Sequence, residues 1–87
     1  MTLKELIDIK YKGWYVDSAY DNIVTLRSDY TEDGLAEIYI KLENENHVEV
    51  SFNSLNKSGI FFHGSNLTPE EVSERTMEAA DNYFDYE

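Results

Sequence analysis

The stretch Leu35-Ala-Glu-Ile-Tyr-Ile-Lys-Leu42, followed by Glu43-Asn-Glu-Asn46 and His47-Val-Glu-Val-Ser-Phe52, decides the fold. Ala36, Ile38, Ile40 and Leu42 share one face of an extended chain, and Glu37, Tyr39 and Lys41 share the other. After a polar turn the alternation resumes, with Val48, Val50 and Phe52 inward and His47, Glu49 and Ser51 outward. A period of two over both segments marks adjacent antiparallel strands with one buried face and one wet face.

Upstream, Thr31-Glu-Asp-Gly34 reads as a turn, since Asp-Gly supplies a positive φ at little cost. Before it, Ile23 to Ser28 and a run opening at Trp14-Tyr-Val16 flank the turn signal Asp21-Asn22 and predict a hairpin. Trp14, Val16, Val24 and Leu26 are its inward residues. The chain opens with a capping box, Thr2 with Glu5, and Leu3, Leu6 and Ile7 on one face predict a short helix from about Thr2 to Lys10. Downstream of Asn53 to Ser58, a short run from Gly59 to His63 predicts a fifth strand, with Gly64, Ser65 and Asn66 as a loop. Thr68-Pro-Glu-Glu71 then combines an N-cap, a proline at the first helical position and a second capping box, so a helix should run to about Phe84. Val72, Thr76, Ala79 and Tyr83, with Ala80 beside them, form its expected inward face. The expected architecture is one domain over residues 1–87 of the α+β class. It is a four- to five-stranded antiparallel meander with an N-terminal and a C-terminal helix packed on one face, where Leu6, Ile7, Val72, Ala79 and Tyr83 meet the strands.

Eighteen acidic residues against seven basic ones give a net charge of −11. A field of that sign repels nucleic acid and attracts basic proteins, so direct nucleic-acid binding is not expected. Lys4, Lys10 and Lys12 are the only basic cluster, read as balancing Glu5 and Asp8. The absence of cysteine excludes disulfides, thiolate metal sites and a thiol nucleophile, and fits a reducing cytoplasm. No apolar run has the length of a signal peptide core or a membrane span, so no membrane partner is expected.

Chemistry-bearing motifs are sparse. His47 and His63 are the only imidazoles; His47 reads as a solvated surface side chain, and His63 as a capping or surface one at the end of the fifth run. No Gly-x-Ser-x-Gly elbow or phosphate-binding glycine loop is present. Asp29-Tyr-Thr-Glu-Asp-Gly34 opens like a calcium loop, but its twelfth position is Ile40 in a strand pattern, so a hairpin turn explains it. No enzyme, metal or cofactor is expected from these residues.

The charge is instead patterned. Glu70, Glu74, Glu78, Asp81 and Asp85 follow one another at steps of four, four, three and four, on one face of the last helix and roughly opposite its expected apolar stripe. The row spans about 22 Å. Its neighbours are i,i+3 and i,i+4 pairs of like charge, each costing about 0.2–0.5 kcal/mol in an isolated helix. Glu71 stands beside it. In a simple meander the turns at Asp21 and at Glu43 to Glu45 share the end where the chain enters this helix, so Asp21, Glu43, Glu45, Glu70 and Glu71 should gather there. Such a surface fits a basic protein groove built for phosphates, although a charged stripe is also what an ordinary surface helix carries.

The opening residues Leu6-Ile7, Lys10, and Tyr15-Val16 leading into a strand resemble the phage-encoded anti-defence proteins, nearest to the Cas9-inhibiting anti-CRISPR proteins. The resemblance implies a stoichiometric inhibitor that imitates DNA and blocks the groove where a nuclease reads or holds it. Basic side chains of the nuclease would then pair with carboxylates here. Two other readings stay open: an immunity protein or antitoxin against a basic toxin, and a small ligand-binding domain or enzyme using the wet sheet face around Tyr39, His47 and Glu49. The expected state is a monomer or a weak homodimer paired through an edge strand near Gly59 to His63.

Overall fold

In a computed structural model, residues 1–28, 36–54 and 57–84 are described. The alternating stretch forms β3 (Glu37–Asn44) and β4 (His47–Asn53), with Ile38 opposite Phe52, Ile40 opposite Val50 and Leu42 opposite Val48. Ile38, Ile40, Val48 and Val50 are fully buried. On the other face Lys41 stands opposite Glu49, a cross-strand pair of opposite charge. Glu43 is an extra residue in the ladder, since Leu42 pairs with Val48 and Asn44 already pairs with His47. A bulge of this kind re-aims the side chain it carries.

Upstream lie β1 (Tyr15–Tyr20) and β2 (Ile23–Arg27), joined by Asp21 and Asn22 at φ 52° and 62°. Two successive positive φ values make the two-residue turn whose twist suits a hairpin. A bulge at Asp17 interrupts β1, and Arg27 lies 3.4 Å from Asp17 and 3.3 Å from Glu37, bridging three strands. β5 spans Ser58–Ser65, longer than the expected run, so Gly64 and Ser65 belong to a strand rather than a loop. Gly64 pairs with Val48, and the Leu67 side chain occupies the space a Cβ would need. The sheet order is β1-β2-β3-β4-β5, the expected antiparallel meander.

The first helix, α1 (Leu3–Asp8), has the capping box of Thr2 and Glu5 but ends at Asp8, with Ile9 as its extended C-cap, short of Lys10. Leu6 is buried, while Ile7 is exposed, contrary to its expected inward place. A helix of six residues touches the sheet through little more than one side chain, and the segment after it supplies the rest. Tyr11 and Trp14 are buried in an isolated bridge, with Gly13 at φ 82° turning the chain between them. The Tyr11 hydroxyl donates to the Leu6 carbonyl, and burial pushes its phenol above the ordinary range.

The second helix, α2 (Pro69–Tyr83), carries the expected cap: Glu71 N donates to Thr68 Oγ1 at 3.2 Å and Thr68 N to Glu71 Oε1 at 3.1 Å. Its buried residues are Val72, Ser73, Thr76, Met77 and Ala80. At 3.6 residues per turn that face is centred about 60° round from the expected one. Ala79 is only half-buried and Tyr83 is exposed, so neither takes its expected core place. The cause lies in the segment after α1. Ser73 Oγ donates to the Lys10 carbonyl at 2.6 Å, and Phe84 packs against Trp14 with ring centroids 5.5 Å apart, drawing the helix toward that side. Tyr83 instead joins an aromatic cluster at the rim, 4.3 Å from Phe52 and 5.8 Å from Phe61. Both helices cover the apolar face, and one contiguous core runs from Leu6 through the strands to Ala80. The Thr31 to Gly34 turn, the start of the strand pattern at Leu35 and Asp85 lie outside the described residues.

Candidate functional site

The rotation of α2 changes where its carboxylates stand. Glu70, Glu74, Glu78 and Asp81 are exposed, and their row is centred about 120° from the buried face, nearer the core edge than directly opposite it. Glu74 and Asp81 therefore flank Met77. With Glu78, Asn82, Ser73, Lys10 and Lys12 they line a groove of about 730 Å³ between α2 and the segment after α1. None of the four carboxylates closes an ion pair among the described residues. Lys4 pairs with Asp8 at 2.9 Å, as its spacing suggests, whereas Lys10 and Lys12 face the groove instead of balancing α1. Glu71 is half-buried and its carboxylate accepts from the Thr68 amide, so it serves the helix start.

Backbone hydrogen bonds bring the acidic turns together. Leu42 N donates to Asn22 O at 2.8 Å, and Asn66 N donates to Asn46 O at 2.7 Å. The N-terminal ammonium donates to Glu45 O at 3.1 Å. The Asp21 turn, the Glu45 turn and the entry to α2 with Glu70 and Glu71 thus share one end of the sheet, as the meander requires. Glu43 stands at the same end, next to the Glu45 turn, with its carboxylate engaged by two histidines. Its bulge carries the carboxylate onto the open sheet face, where Oε1 lies 3.4 Å from His47 Nε2 and 3.8 Å from His63 Nδ1. The two imidazoles stack with centroids 5.7 Å apart at 26°, and His47 Nδ1 lies 2.7 Å from Ser65 Oγ.

This cluster has a signal in the sequence only in part. Glu43 and His47 stand four apart across a predicted turn, but His63 joins them only through the register that sets His47 opposite Ser65 and Glu49 opposite His63. Further along the same face, Tyr39 has its phenol raised by burial and by the Glu37 carboxylate, and with Tyr20, Asp21, Ile23 and Thr25 it lines a groove of about 250 Å³. Among the described residues no helix is long and apolar enough to cross a membrane. Scans against protein-family models, curated proteins and solved structures find no match to this chain.

Proposed function

We infer that this chain is an acidic binding protein that docks on a basic protein surface, acting as a DNA mimic on the nucleic-acid groove of a nuclease in the manner of anti-CRISPR proteins. The observation that carries the reading is the exposed, internally unpaired row Glu70, Glu74, Glu78 and Asp81, which spans about 16 Å of α2. Carboxylates about 4.5–6 Å apart along the axis match the several-ångström step of phosphates along a strand. The groove beside them, floored by Met77, offers an apolar seat for the stem of an arginine or lysine whose charged end reaches Glu74 or Asp81.

The turn acids Asp21 and Glu45 extend the negative surface at the end of the sheet where α2 begins, and the net charge of −11 steers encounter from a distance. On this reading the protein works in the cytoplasm, beside its target, and catalyses nothing. The test is capture of a partner from bacterial lysate at low salt, followed by competition between this chain and duplex DNA for that partner. Displacement of DNA that weakens steeply as salt rises supports the reading. Binding that leaves the DNA in place contradicts it.

A further inference from the structure

Glu43, His47 and His63 converge on the open face of the sheet: one Glu43 carboxylate oxygen lies 3.4 Å from His47 Nε2 and 3.8 Å from His63 Nδ1, and the two imidazoles stack with centroids 5.7 Å apart. Imidazole nitrogen and carboxylate oxygen are both atoms that a divalent ion takes as ligands.

We propose that Glu43, His47 and His63 form a binding site for a zinc-class divalent ion on the open face of the sheet, independent of the acidic edge of α2. Two imidazole nitrogens and one carboxylate oxygen are a recognised zinc set, with a fourth position left to water. One ligand atom from each residue lies within 4.8 Å of the others. Bonds of about 2.0–2.1 Å in a tetrahedron place ligands about 3.3 Å apart, so side-chain shifts on the order of 1 Å close the site.

The surroundings orient the ligands. Ser65 Oγ holds His47 Nδ1 and leaves Nε2 directed at Glu43, the outer partner that zinc-binding histidines use. The three residues come from three strands: Glu43 from the bulge of β3, His47 from the first position of β4, and His63 from β5. His47 and His63 are paired in the ladder, and the paired neighbours Leu42 and Asn44 hold the Glu43 bulge between them, so little backbone ordering is left for the ion to impose. Bound zinc would tie the β3–β4 turn to the edge strand. The site is partly exposed, with His63 the most open, so the ion should exchange with solvent.

The test is zinc chloride titrated into the untagged protein, with millimolar magnesium present to occupy diffuse carboxylate sites. Calorimetry should give one equivalent, and the imidazole resonances of both histidines should shift. These are the only two histidines in the chain, so the spectrum reads the site directly. His63→Ala should weaken zinc binding at least tenfold, and His47→Ala should do the same. If His47→Ala perturbs the fold by circular dichroism, the exposed His63→Ala decides alone. Unmoved imidazole resonances, displacement of zinc by magnesium, or unchanged affinity in His63→Ala each overturn the proposal.

Discussion

Ser73 Oγ donates to the carbonyl oxygen of Lys10 at 2.6 Å, and this bond helps fix the rotation of α2. Met77 is thereby turned inward and Tyr83 outward, and the acidic row comes beside a groove that contains Lys10 and Lys12. Replacing Ser73 by alanine leaves the Lys10 carbonyl without this partner at a part-buried position beside the groove. Ser73→Ala should lower unfolding stability by about 0.5–1.5 kcal/mol, read from the denaturant midpoint at unchanged slope.

Thr76 makes the opposite case. It is fully buried, and its hydroxyl finds no hydrogen-bond partner among the described residues. Valine keeps the shape and removes the unsatisfied group. Thr76→Val should raise stability by about 1 kcal/mol, seen as a higher denaturant midpoint, and a loss of stability would mean that the hydroxyl is satisfied.

Tyr11 ties stability to pH at the alkaline end. Burial raises its folded phenol above the ordinary value near 10, and Tyr39 is displaced in the same direction. Above about pH 10 the unfolded chain releases a phenolic proton that the folded chain keeps. The contribution is fully present below that pH and is lost as pH rises toward the folded value. Denaturant midpoints measured between pH 8 and pH 11 should be flat and then fall. Tyr11→Phe should be less stable at pH 8, having lost the bond to Leu6, and should fall less steeply above pH 10.

The acidic row costs the helix some stability. Glu70, Glu74, Glu78 and Asp81 form three like-charged neighbour pairs. At about 0.2–0.5 kcal/mol per pair, Glu78→Gln relieves two of them and should stabilise the fold by up to about 1 kcal/mol at low salt, with the gain shrinking as salt rises. Thermal unfolding at two ionic strengths checks this.

The meander was legible in the sequence because its signals are local. Period-two alternation in Ala36 to Leu42 and Val48 to Phe52, the Asp21-Asn22 turn and the two capping boxes each act over a few residues, and they agree with one another. The rotation of α2 was not legible. Hydropathy favours Ala79 and Tyr83 over Ser73, and only the tertiary bond to Lys10 and the packing of Phe84 on Trp14 reverse that order. The end of α1 has no local signal either, because Tyr11 and Trp14 after it are buried through tertiary packing. The carboxylates of α2 could be named from spacing alone, but their relation to Lys10 and Lys12 could not. The histidine cluster needed two pieces of register, the bulge at Glu43 and the pairing of β5, and neither has a local sequence signal.

The most direct test of the acidic-edge account is the affinity of the double variant Glu74→Lys with Glu78→Lys for the captured partner, measured across a salt series. Both positions are exposed and outside the core, so circular dichroism should report the native fold. The account predicts that binding is lost at low salt, where the native chain binds most tightly. Unchanged affinity and an unchanged salt slope in the folded variant would contradict it.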